Sequence, residues 1–284
     1  MNTIISPIIE VDELLKIHKL EDVIIIDACN GDETNYKKKH LKGALVVNLN
    51  TQLSSIKEDV SIGGRHPLPT INQFSKTLNT LGISKESHVI VYDDKNGSNS
   101  AARFWWMLKA VGHNKVQVIN GGFQEAVSKG FPANSDVVIA KKTTEYKITS
   151  WVLQQENMQE VENYALNKNY KVIDVREQDR YNGIIEPIDL IAGHIPGAIN
   201  IPFSTNLDSN GLFKNPQELK EQYQAIFKNT KPENSIVHCG SGVTACHTLL
   251  AIAYAGLNIP KLYVGSWSEW SRNKKPIATN KTNF

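Results

Sequence analysis

Apolar residues in this chain fall into short unbroken runs that alternate with longer stretches of helical spacing. Val23–Asp27 (VIIID), Leu45–Leu49, Val89–Asp93 and Val116–Ile119 are rich in β-branched residues and bounded by turn residues, the pattern of strands buried on both faces. Between them the spacing predicts a helix starting at Asp12, one over Ile71–Leu81 stopped by Gly82, and one over Ser100–Val111 stopped by Gly112. Ile4–Ile9 is a further β-type run, and Gly121-Gly122-Phe123 turns into a last short helix.

The same order returns downstream. Lys171–Asp174 (KVID) answers VIIID, His194–Ala198 answers His40–Ala44, and Ile236–His238 answers Ile90–Tyr92. The helix stopped by Gly256 answers the one stopped by Gly112, and Lys261–Val264 with Gly265-Ser266-Trp267 answers Val116–Ile119 with Gly121 to Phe123. In both copies the last glycine follows the helix-stopping glycine by nine residues. Strands alternating with helices predict an α/β fold, here twice over, each copy a parallel sheet with helices on both faces. A repeat of this length reads as a duplicated domain. The expected division is residues 1–135, a polar linker at 136–150 within the Lys- and Thr-rich stretch from Ala133 to Ser150, and residues 151–284.

With 284 residues the chain is long enough for two cores, and 40% hydrophobic with 21% charged residues is globular composition. A net charge of +2 gives no reason to expect nucleic acid, and Lys37–Lys39 reads as a solvated loop. The start, MNTIISPIIEVDELL, lacks a basic leader pattern, and no apolar run reaches membrane-spanning length. Cys29, Cys239 and Cys246 form no C-x-x-C pair and cannot all pair off, which argues against a disulfide framework or a zinc site. The expectation is a cytoplasmic protein without metal or cofactor, without a membrane or nucleic-acid partner.

One stretch carries chemistry: Ser235–Gly256, SIVHCGSGVTACHTLLAIAYAG. Cys239 stands between a strand end and a helix start, where amide groups lack intrahelical partners and the helix dipole favours an anion. A thiolate is stabilised in such a place, and Gly240 and Gly242 let the backbone curl round the sulfur. Cys239 is therefore read as a nucleophile, with the amides of Gly240, Ser241, Gly242, Val243 and Thr244 as its cradle. Asp93 holds the corresponding position in the first copy, which thereby lacks the nucleophile.

Tandem copies, GHIPGA, CGSGVTA and the terminal GSWSEW together resemble the two-domain sulfurtransferases of the rhodanese family, and the loop resembles their 3-mercaptopyruvate sulfurtransferase branch. The first copy carries matching features at Arg65–Pro69 (RHPLP), Val91–Asp94 and Ala101–Trp106. The resemblance implies that Cys239 takes sulfur from a small anionic donor, holds it as a persulfide and yields it to cyanide, a small thiol or a reduced protein thiol. It implies a polar role for Ser241 beside the reacting sulfur, and a carboxylate-gripping role for Arg180, in Arg180-Tyr181-Asn182-Gly183. It also exposes a departure: the family's second arginine, in E-P-R, is replaced in Glu186-Pro187-Ile188. Arg65 and His66 are candidates to face the site. Neutral residues after Cys239 point to mercaptopyruvate as first donor and thiosulfate as second, since thiosulfate-preferring relatives carry basic residues there.

Two other classes stay open. His238-Cys239 resembles the start of the cysteine-dependent phosphatase signature, but Ala245 stands where that chemistry needs an arginine. A non-catalytic rhodanese-like binding or sulfur-carrying module is the other alternative. Cys246 reads as core, Cys29 as incidental beyond a strand end, Trp105, Trp106, Trp267 and Trp270 as packing, and Asp27, Asp174, His40 and His194 as structural pairs repeated in both copies.

Overall fold

The structure is a computed structural model that describes residues 5–280; Ile4, the start of the first expected strand, lies outside them. The chain forms two compact units, one of residues 1–55, 68–153 and 209–213, the other of 56–67, 154–208 and 214–284.

In the first unit the elements are β1 (Ile8–Ile9), α1 (Val11–Ile17), β2 (Val23–Cys29), α2 (Thr34–Lys38), β3 (His40–Leu41), β4 (Leu45–Asn48), α3 (Ile71–Thr80), β5 (His88–Tyr92), α4 (Ser100–Ala110), β6 (Val116–Ile119), α5 (Gly122–Ser128) and β7 (Ala133–Asn134). β1-β6-β5-β2-β4 is a parallel sheet, and β7 pairs antiparallel with β3. The run VIIIDAC makes β2 a long central strand, because β-branched side chains fit a pleated surface packed on both faces. Cys29 closes this strand rather than following it. α3 begins where Thr70 and Gln73 satisfy each other's backbone amides in a capping box. Ile9, Leu14, Ile25, Ile90, Tyr92 and Ile119 meet in the core. Tyr146, in the polar stretch after β7, is buried here, its amide donating to Asn79.

The second unit contains β8 (Gln155–Glu156), α6 (Met158–Ala165), β9 (Lys171–Asp174), α7 (Gln178–Asn182), β10 (Ile199–Asn200), α8 (Pro216–Phe227), β11 (Ser235–His238), α9 (Thr244–Tyr254), β12 (Lys261–Tyr263) and α10 (Ser266–Trp270). Its parallel sheet runs β8-β12-β11-β9-β10, the first unit's order with each strand replaced by its sequence counterpart. Val161, Val172, Ile236, Tyr263, Trp267 and Trp270 form its core. Each unit is thus an α/β layer structure whose middle strand, β5 or β11, ends at the position singled out by the repeat. In open parallel sheets ligands bind beyond the carboxyl ends of the strands. Among the described residues no helix is long and apolar enough to cross a membrane.

Candidate active site

β11 pairs with β9 so that His238 lies opposite Asp174, and Cys239 is the first residue beyond the sheet. Cys239 is buried, with 4% of the residue exposed. α10 fixes the loop from one side. The Trp267 amide donates to the Cys239 carbonyl (3.0 Å), and the Ser268 amide donates to the Gly240 carbonyl (2.8 Å). Ser266 Oγ accepts the Cys239 amide (3.2 Å) and donates to the Tyr263 carbonyl (2.8 Å). In planar trans peptides the N–H points opposite to the C=O, so the amides of Gly240 and Ser241 face away from α10. Gly242, at φ +72°, lets the chain turn into α9; a side chain there would run into the Val264 carbonyl. Val243 precedes α9 and Thr244 is its first residue, so their amides belong to the turn where helix donors lack internal partners.

The first unit shows what this strand–loop–helix geometry binds. Asp93, directly after β5, accepts four amides: Lys95 (2.9 Å) and Gly97 (2.8 Å) on one oxygen, Asn99 and Ala101 (both 3.1 Å) on the other. A carboxylate is ringed by donors where the second unit carries the Cys239 sulfur. Burial pushes the Asp93 carboxyl above its ordinary range, and those amides pull it back.

Arg65 and His66 lie in the 56–67 strap, within the same unit as Cys239. Three contacts hold the strap to α10 and the residues after it. The Gly63 amide donates to Glu269 Oε1 (2.8 Å), the Arg65 amide to Ser268 Oγ (3.0 Å), and Asn273 Nδ2 to the Ser61 carbonyl (2.8 Å). His66 Nδ1 consequently stands 2.8 Å from Ser241 Oγ. The atoms nearest to where a side chain on Gly240 would begin are Arg65 Nη2 (3.0 Å), Asp189 Oδ2 (3.4 Å) and Arg180 Nη2 (3.5 Å). Arg65 and Arg180, 115 positions apart in the chain, thus converge on the residue after Cys239.

Behind them is a network of alternating charge. Buried Arg176 pairs with Asp174, donates through Nη1 to Glu186 Oε2 (3.2 Å), and lies over the Trp267 ring at 4.4 Å. Glu186 also accepts Arg180 Nη2 (2.7 Å) and Nε (3.0 Å). Asp189 accepts Arg65 Nε (2.9 Å), Arg180 Nη2 (3.2 Å) and Arg272 Nη1 (3.3 Å). Burial would raise both Asp174 and Glu186, but the guanidinium partners outweigh it and hold these carboxyls below their usual range. Burial lowers the His238 pKa, outweighing the neighbouring Asp174 carboxylate, which pulls it up. Among the described residues no cluster of His, Cys, Asp or Glu is placed to hold a metal ion.

All nine singled-out residues, Arg65, His66, Arg180 and the six from Cys239 to Thr244, therefore fall around one loop. Arg176, Asp189, Arg272 and Ser266 join these residues without having stood out in the sequence. Arg176 carries a local signal, two residues beyond a buried strand-end carboxylate. The pairing of Asp189 with Arg65 and Arg272 carries none, since it spans 124 and 83 positions. His40 and His194 each place Nδ1 2.8 Å from a tyrosine carbonyl (Tyr36, Tyr181) and stack on that ring, a structural pair in each unit.

The family described as rhodanese-like domain matches residues 10–129 and 157–273. A probable 3-mercaptopyruvate sulfurtransferase of Pseudomonas aeruginosa is 35% identical over 254 residues, covering 86% of each chain. A thiosulfate sulfurtransferase of Mus musculus is 35% identical over 250 residues, 85% of this chain and 80% of its own. The solved 3-mercaptopyruvate sulfurtransferase from Leishmania major superposes with a TM-score of 0.80 at 28% identity, over 94% of this chain and 74% of that one.

Proposed function

Because this chain belongs to the rhodanese family and is a sulfurtransferase, we propose that its sulfur donor is 3-mercaptopyruvate and that Cys239 carries the sulfur between donor and acceptor. The observation that carries this reading is the meeting of two arginine forks and a His–Ser pair around one cysteine loop. Arg65 and Arg180 grip the donor carboxylate, as planar forks of donors suit. The Cys239 thiolate attacks the donor sulfur, an S–S bond forms and the C–S bond breaks. Its electron pair passes to the enolate of pyruvate, which takes up the proton lost from the donor thiol. Ser241 Oγ, backed by His66, donates to the oxygen on which that charge develops. The persulfide anion rests on the loop amides, the role the carboxylate of Asp93 plays against its own loop. A thiol acceptor then attacks the outer sulfur, leaves with it, and returns Cys239 as thiolate. Cyanide or a reduced protein thiol serves by the same displacement.

The first unit, with Asp93 in place of the nucleophile, is the non-catalytic copy in this reading; the stretch 136–150 belongs to it rather than forming a free linker, and the chain passes to the catalytic unit after residue 153. Three free thiols support a reducing, cytoplasmic location. A second reading, thiosulfate as donor, draws on the similarity to the murine thiosulfate sulfurtransferase. Against it, a basic side chain at position 240 would meet Arg65 and Arg180. A side-by-side kcat/KM comparison of the two donors tests the choice: a higher value for 3-mercaptopyruvate is expected, and a higher value for thiosulfate overturns it.

A further inference from the structure

The donor site lacks an arginine at position 188, and Ile188 is 55% exposed. The next residue, Asp189, points the other way: its side chain is fully buried and three guanidinium groups close on it. Two of these, from Arg65 and Arg180, are the donors nearest Gly240. The third, from Arg272, comes from the turn after α10, where Nη1 is also fixed by the Ser268 carbonyl (2.9 Å). Ser268 is the residue whose amide holds Gly240 and whose hydroxyl holds the Arg65 amide.

Charge decides what Arg272 does. The connected network holds four guanidinium groups (Arg65, Arg176, Arg180, Arg272) and three carboxylates (Asp174, Glu186, Asp189). It carries one positive charge, the complement of a single donor carboxylate. Without Arg272 it is neutral, and Asp189 competes with the donor for Arg65 and Arg180. With Arg272 on Oδ1, part of the Asp189 charge is met from behind. Among the described residues, Nη1 of Arg65 and Nη1 of Arg180 have no hydrogen-bond partner, which leaves donors for an incoming anion.

Resting on the donor-site reading above, we propose that Arg272, acting through Asp189, supplies the positive charge missing at position 188 and is a positioning residue for donor binding. The test is Arg272→Gln and Arg272→Lys, with KM for 3-mercaptopyruvate, the competitive inhibition constant of pyruvate, kcat and acceptor KM measured in each. Loss of one positive charge at this partly shielded distance predicts an increase of about tenfold in donor KM and pyruvate Ki for Arg272→Gln. kcat and acceptor KM stay within about twofold, as expected when uniform donor binding is lost, and Arg272→Lys recovers most of the affinity. Unchanged pyruvate Ki in Arg272→Gln overturns the proposal, as does a rise that lysine fails to rescue. Arg180→Ala, run alongside, separates the two ideas. Unchanged pyruvate Ki there refutes the donor site itself; a raised value there with none in Arg272→Gln refutes only the role of Arg272.

Discussion

His66 Nδ1 lies 2.8 Å from Ser241 Oγ, a contact between residues 175 positions apart that puts a base on the hydroxyl two residues beyond Cys239. If the pair steers charge and proton during carbon–sulfur cleavage, His66→Ala and Ser241→Ala each lower kcat by about a hundredfold. Acting as one unit, the double variant loses little more than either single one. Steady-state kinetics on the three proteins checks this. A Ser241→Ala enzyme with unaltered kcat would reduce the serine to a turn-former.

Arg180 faces the Gly240 position while its other edge is held by Glu186 and Asp189. A lysine keeps the charge but not the fork, so Arg180→Lys raises donor KM by about tenfold and Arg180→Ala by more. Donor titrations at saturating acceptor measure both. Equal KM in all three proteins would move the carboxylate site elsewhere.

Asp93 accepts four loop amides inside the first unit. Asp93→Ala orphans these buried donors and costs about 3 kcal/mol of stability. Sulfur transfer by the folded protein is unaffected, because Asp93 belongs to the unit without the cysteine. Denaturant unfolding followed with activity shows whether stability falls alone; a matching loss of kcat would tie Asp93 to the chemistry.

Asp27 lies two residues before the end of β2, the counterpart of β9, and has no arginine like Arg176 two positions on; position 29 is Cys29. Desolvation pushes its carboxyl up to about 7, against a hydrogen bond from Tyr92. The native state therefore holds a proton that the unfolded chain releases near pH 4, so stability falls as pH rises from about 4 to about 7 and then levels. Asp27→Asn removes this dependence and stabilises the protein by about 2 kcal/mol at pH 8, with little effect at pH 4. Unfolding curves across that range decide the matter; identical pH dependence in both proteins contradicts it.

The parts of this molecule legible in its sequence are the local ones. β6 and β9 coincide with their β-branched runs, and the cysteine loop is readable because strand, glycines and helix follow one another without interruption. The two-residue strands β8 and β10 are too short to leave a pattern. α8 goes unread although Asn215, Pro216 and Glu218 spell out its start. The sites of Arg65 and Arg272 depend on contacts to Asp189 across 124 and 83 positions, which no local spacing encodes. The segment between Asp174 and His194 supplies Glu186, which holds Arg180, and Asp189, which holds Arg180, Arg65 and Arg272, in a place where the family resemblance has an arginine and this chain has Ile188.

Sulfur carried on Cys239 between the two half-reactions is the central expectation, and mass spectrometry reads it directly. After brief exposure to 3-mercaptopyruvate without acceptor, the protein gains one sulfur atom. The gain maps to the peptide containing Cys239, disappears on addition of a thiol, and is absent from Cys239→Ser. Pyruvate release with no sulfur on the protein, or sulfur found on Cys29 or Cys246 instead, would contradict it.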